Sequence, residues 1–160
     1  YIEETTMRMC NTHRRWFANL ITNLVAEGKK DMALKALEKC EKEIPSYNVP
    51  HDIGSGSLEI ARAFAECGKL DRANEIILQV EKKSIEYVYW YLSLNNVRFA
   101  MANRDCYSSL YSVFSVQDVF ARMAEIDSKY SEKAASLDAQ LQRIWAEYQA
   151  KCNDAGIPLR

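Results

Sequence analysis

Glycine and proline are scarce in this 160-residue chain, at five and three residues. All-β folds need a turn residue every few positions, so the scarcity leaves helix as the class to expect. Charge of one sign is missing too: 21 Lys and Arg stand against 22 Asp and Glu, a formal net charge of -1. That balance removes the electrostatic footprint of a nucleic-acid binder or a polybasic membrane-surface protein, and no nucleic-acid partner is expected. Long hydrophobic runs are absent. A membrane span needs about 18 apolar residues, and the longest charge-free stretches, Phe17 to Ala26 and Cys106 to Gln117, are broken by Asn, Thr, Ser or Gln. The chain opens on Tyr1 with no basic segment, apolar segment and cleavage site in series, so it reads as a piece of a longer polypeptide. Five cysteines (Cys10, Cys40, Cys67, Cys106, Cys152) are never spaced as CxxC and only His13 and His51 could join them, so no metal constellation is legible and no cofactor is expected.

What is present is a core. With 48% hydrophobic and 27% charged residues, a chain of this length buries about 70% of its unfolded surface, enough for a single domain. Apolar residues recur at Met9, Trp16, Phe17, Leu20, Ile21 and Leu24, the three-and-four spacing of one helical stripe between Thr5 and Glu27. Gly28 ends that helix. Lys30 to Ile44 repeats the pattern, and Pro45 stops it because proline lacks an amide proton and clashes with the preceding turn. Ser46 to Gly56 reads as a loop, with Ser55 or Ser57 as caps for a helix over Leu58 to Cys67. Gly68 ends that one, and Leu70 to about Leu94 forms the next, with Tyr87, Tyr91, Trp90 and Leu94 on one face. Asn95 and Asn96 mark its end, and Val97 to Asn103 is left unassigned. Asp105 to Ile126 carries Leu110, Val113, Phe114, Phe120 and Met123 on one side. Asp127 or Ser128 caps a last helix striped by Tyr130, Ala134, Leu137, Leu141, Ile144 and Tyr148, a heptad-like spacing open to self-association. The expectation is all-α with about six helices: two hairpins over 1–94 and a helical pair over 95–160.

The two glycine turns lie 40 residues apart, and the flanking positions superpose: Leu20, Leu24, Ala33, Leu37 and Cys40 fall on Ile60, Phe64, Ala73, Ile77 and Val80. Gly28-Lys29-Lys30-Asp31-Met32-Ala33 matches Gly68-Lys69-Leu70-Asp71-Arg72-Ala73 at four of six positions. An apolar residue four before the glycine, a small residue five after it and Pro45 at the hairpin's end resemble the tetratricopeptide repeat. Glycine tolerates the tight turn, and alanine lets the second helix approach the first. The likeness departs at Ser57, where Phe17 supplies a large aromatic in the first copy, and at Ile85, which replaces the proline.

The strings Met7-Arg8-Met9-Cys10-Asn11-Thr12-His13-Arg14-Arg15, Ala26-Glu27-Gly28-Lys29-Lys30-Asp31, Ile44-Pro45-Ser46-Tyr47-Asn48-Val49-Pro50 and Tyr89-Trp90-Tyr91-Leu92-Ser93-Leu94 carry a wider resemblance. They resemble the C-terminal soluble tail of a family of large multi-spanning bacterial membrane proteins whose function is poorly defined. The membrane portion of that family is similar to protein O-mannosyltransferase-type glycosyltransferases, which use a lipid-linked sugar donor. The resemblance spans roughly Tyr1 to Leu94. It implies attachment to a membrane through an N-terminal portion, a periplasmic tail and an accessory role, with the catalytic carboxylate outside this chain.

Candidate site residues follow from helix geometry. In a stack of such hairpins the first helix of each lines the concave face, which maps to Arg15, Asn19, Thr22, Glu59 and Arg62. Two guanidinium forks there suit a carboxylate on a protein segment, from another protein or from the membrane portion of the parent chain. Successive helical residues point about 100° apart, so His13, Arg14 and Arg15 cannot all serve one ligand. Tyr89 and Trp90 form a candidate aromatic patch for a glycan or a bilayer interface. Asn48, His51 and Asp52 place a base and a carboxylate in the loop, but no nucleophile with a positioned partner accompanies them, so no catalytic residue is assigned.

Overall fold

The computed structural model describes residues 3–158; Tyr1, on which the expectation of a longer parent rests, lies outside them. The described residues contain six α-helices and no strand: α1 (Glu4–Ala26), α2 (Lys30–Glu43), α3 (Ser57–Glu66), α4 (Leu70–Leu92), α5 (Asn96–Ile126) and α6 (Ser131–Asp154). A 3₁₀ turn, Ser128–Tyr130, precedes α6. The described residues are therefore all-α, with six helices among them. The chain divides into two compact units, one up to Val80 and one from Glu81, with the division inside α4.

In the first unit the two glycine turns are built bond for bond alike. Gly28 and Gly68 both take left-handed backbone, at φ 74° and 77°. The amide of Lys29 donates to Leu24 O at 2.8 Å, and that of Lys69 to Phe64 O at 2.8 Å. Ala33 and Ala73 then bond back to Lys29 and Lys69, each at 3.0 Å, and both alanines are fully buried. Lys30 Nζ donates to Glu66 O at 2.9 Å, and Arg72 Nε to Glu41 Oε1 at 2.6 Å, tying the first hairpin to the second.

The first helix buries part of the stripe its apolar spacing marks, with Ile21 buried and Phe17 and Leu24 half-buried, and shifts the rest. Arg14, Ala18 and Ile21 face inward, whereas Met9, Trp16 and Leu20 are exposed. The reason is the neighbour. α3 is laid on the small-residue face of α1, and Gly56 makes the approach: a Cβ there would lie 2.8 Å from Ala18 Cβ and 3.1 Å from Arg15 Cα. Leu20 is 51% exposed while its counterpart Ile60 is 1% exposed, because α3 is covered by the first hairpin and α1 has no equivalent cover among the described residues. Gly56, in left-handed backbone, is also the N-cap of α3. The expected serine caps are not used: Ser55 and Ser57 are buried in a hydrogen-bonded chain described below.

In the second unit α5 is one helix of 31 residues, capped by Asn95, whose side chain accepts from the Arg98 amide. The pair Asn95 and Asn96 thus starts a helix directly after α4 rather than opening a gap, and the unassigned 97–103 segment is its first two turns. Asp127 caps the 3₁₀ turn by accepting from Lys129 N. Asn96 Nδ2 donates to Asp154 O at 3.0 Å, so α6 runs back along α5. The heptad-like stripe Tyr130, Ala134, Leu137, Leu141, Ile144 and Tyr148 is buried inside this unit, where α5 packs on α6. That stripe is spent within the chain, and any self-association has to use another face. On the last turns of α4, Ser84 and Val88 are buried while Tyr87, Tyr89 and Trp90 are exposed, so the inward face is not the aromatic one.

Candidate functional site

The loop between α2 and α3 is held from beneath by Arg14. Its side chain is 1% exposed, and its guanidinium donates to Val49 O at 2.5 Å, Pro50 O at 3.1 Å, Ile44 O at 3.4 Å and Asn11 Oδ1 at 3.3 Å. Burial pushes the guanidinium pKa down, opposed by the thiols of Cys40 and Cys10; an arginine nonetheless keeps its charge in a protein. Carbonyl dipoles take the place of a carboxylate partner here. Cys40, in the small-residue position of the hairpin, is buried as expected of a small hydrophobe, and desolvation lifts its thiol to about 11.

Next to Arg14 lies a chain of three side chains. Ser55 Oγ donates to Asp52 O at 2.7 Å, Ser55 and Ser57 hydroxyls are 2.7 Å apart, and Ser57 Oγ is 2.8 Å from His51 Nδ1. The protons can be counted. Ser55 has one, and the carbonyl of Asp52 takes it, so the serine–serine bond uses the proton of Ser57. The last bond must then be donated by Nδ1–H of His51. In that arrangement the imidazole gives a hydrogen bond to Ser57 and does not take its proton, so His51 does not activate Ser57 as a nucleophile there. Burial, followed by the charges of Arg14 and Arg72, lowers the His51 pKa to about 3, so the ring is neutral at physiological pH. Asp52 closes its own turn, accepting from Ile53 N at 2.7 Å.

On the outer side of this chain a cleft of about 210 Å³ opens between α1 and the N-terminal turn of α3, with the Gly54–Gly56 loop as its floor. Arg15 and Asn19 line it from α1, and Asp52, Ser57 and Glu59 from the other side. Three of the five expected groove residues therefore meet. Thr22 and Arg62 are exposed further along the same helices and do not line the cleft. Arg15 donates to Thr12 Oγ1 of its own helix at 3.1 Å and has no carboxylate partner among the described residues, and neither Asn19 nor Glu59 has a hydrogen-bond partner among them. Small-molecule pockets begin at about 300 Å³, so a cleft this size suits one side chain or peptide unit of a longer segment.

Tyr89 and Trp90, at 42% and 56% exposure, lie in the second unit, with Trp90 edge-on to Tyr91 at 4.8 Å. The cleft's loop floor was not among the expected residues; the alternation Gly54-Ser55-Gly56-Ser57 was the available signal, since closely spaced glycines mark a close backbone approach. No helix of the described residues is long and apolar enough to cross a membrane, and no group of three or more His, Cys, Asp or Glu among them could hold a metal ion. No protein-family model, curated protein or solved structure matches the chain.

Proposed function

We propose that this chain is a non-catalytic interaction module that binds a protein segment through the cleft between α1 and α3. The observation that carries the reading is the convergence of Arg15, Asn19 and Glu59 on one concave surface with their charges and amide unpaired. A guanidinium, a carboxamide and a carboxylate together match an extended segment: the amide pairs with a peptide unit, and the two charges select side chains or a terminus of opposite sign. Rigid support from the Arg14-anchored loop keeps the ordering cost of binding low. The tetratricopeptide-like hairpins fit this role, as does membership in the periplasmic tail of a glycosyltransferase-like membrane protein, where the segment belongs to the parent's own membrane portion or to a neighbouring protein.

The test is a selection of peptides from a displayed random library against the whole chain, followed by affinity measurement on Arg15→Ala/Glu59→Ala, which removes both charges of the cleft. The expected result is enrichment of charged peptides whose affinity falls at least tenfold in the double variant, with an unchanged helical melt. No enrichment, or equal affinity for both proteins, overturns the reading.

The exposed Tyr89 and Trp90 favour a second reading, a glycan-contacting surface. Tryptophan fluorescence that responds saturably to oligosaccharide, and loses the response in Trp90→Ala, would support it over the first.

A further inference from the structure

The second unit holds a larger cavity, about 880 Å³, between the first turns of α5 and the last turns of α6, within the range of pockets that take small ligands. Its walls are aromatic and apolar. Tyr107, Trp145 and Tyr148 line it together with Met101, and the Trp145 and Tyr148 rings stack at 5.5 Å and 26°. Two polar side chains interrupt those walls, Asn103 and Arg104. The orientation of the Asn103 amide is fixed, because Tyr148 Oη donates to its Oδ1 at 2.9 Å and the Cys152 thiol approaches the same oxygen at 3.8 Å. Its Nδ2 is left as a donor with no partner among the described residues. Arg104 is exposed and has no ion pair or hydrogen bond among them. Among the described residues no carboxylate side chain lines the cavity.

The side-chain polar atoms left without a partner among the described residues are the Asn103 amide N–H pair, the Arg104 guanidinium, the Trp145 indole N–H and the Tyr107 hydroxyl; of these only the hydroxyl can also accept, and only the guanidinium is charged. A ligand that satisfies them is rich in acceptors and negative, and one that fills the remaining walls is apolar. A single guanidinium balances a single negative charge and matches a planar carboxylate in a two-bond fork; a phosphate dianion would retain unbalanced charge against aromatic walls. We infer that this cavity is a binding site for an amphipathic carboxylate, an aromatic or branched apolar body ending in a carboxylate held by Arg104 and Asn103. Such a group occurs both as a free organic acid and as the C-terminus of an apolar peptide. The site is separate from the α1–α3 cleft and does not depend on it.

Amide chemical-shift titration of the whole chain with 3-phenylpropionate, with N-acetyl-Leu-Phe and with the amidated form of each tests this. The acids should shift Met101 to Tyr107 and the Trp145 indole N–H saturably, the amides should bind at least tenfold more weakly, and Arg104→Ala should cost the acids at least tenfold. Arg104→Lys, which keeps the charge but not the fork, should recover part of that loss. Tighter binding by the dipeptide assigns the site to peptide C-termini, and tighter binding by phenylpropionate assigns it to free acids. Equal affinity for acid and amide, indifference to Arg104→Ala, shifts centred elsewhere, or no saturation up to about 10 mM would overturn the assignment.

Discussion

At the scale of single residues, the loop and the cleft depend on two buried polar side chains, Arg14 and His51. Removing the Arg14 fork leaves the carbonyls of Val49 and Ile44 without this donor in a buried place. Each such orphan costs about 1–3 kcal/mol, so Arg14→Met should lose about 2–4 kcal/mol in urea unfolding. Arg14→Lys should recover little of that, because an ammonium cannot span the same carbonyls. His51 makes stability depend on pH. Its folded pKa is about 3 against an ordinary 6.5, so between those values the unfolded chain binds more protons than the folded one. Stability is fully present above pH 6.5 and falls as pH drops toward 3, at up to about 1.4 kcal/mol per pH unit from this group alone. Urea midpoints measured across that window for the wild type and His51→Gln should diverge, the variant losing this share of the slope. Neither role could be read from the sequence, where Arg14 is the middle of a basic triplet and His51 a loop residue; burial of a charge is decided by which carbonyls the loop folds over it.

At the scale of elements, the helices and their glycine turns were legible because period and punctuation agree, while the faces were less so. Of the stripe Met9, Trp16, Phe17, Leu20, Ile21 and Leu24, Ile21 is buried and Phe17 and Leu24 are half-buried, yet Met9, Trp16 and Leu20 are exposed and Ala18 turns inward. Hydrophobicity alone chose the larger side chains, but close packing against α3 needs small ones. On α4 the stripe Ala73, Ile76, Ile77, Val80 and Val88 is buried, while Tyr87, Tyr89 and Trp90 of the aromatic run are exposed. Two glycines separate the effects. At Gly28 an added Cβ meets nothing within 4 Å, so Gly28→Ala should cost only the left-handed backbone, about 1–2 kcal/mol. At Gly56 the same backbone strain is joined by contact with Ala18 and the backbone of α1. Overpacking adds about 1–3 kcal/mol, so Gly56→Ala should be the more damaging by that margin in chemical denaturation, and should also disturb the amide signals of Arg15 and Asn19. Gly28→Ala should leave those signals in place.

At the scale of the whole molecule, the reading is a scaffold that displays a surface. Of the expected groove, Arg15, Asn19 and Glu59 line the cleft, and Thr22 and Arg62 do not. The Gly54–Gly56 floor was not legible in the sequence, because loop conformation follows from Arg14 and the serine chain rather than from any period. The unit boundary inside α4 was hidden for a related reason: a continuous helix carries no punctuation where packing partners change.

Amide chemical-shift mapping of a selected peptide on the wild-type chain tests the central claim most directly. The account predicts shifts clustered on Arg15, Asn19 and Gly54 to Glu59, with the residues from Glu81 onward unmoved. Shifts centred on Tyr89 and Trp90, or scattered without a focus on the cleft, would contradict it.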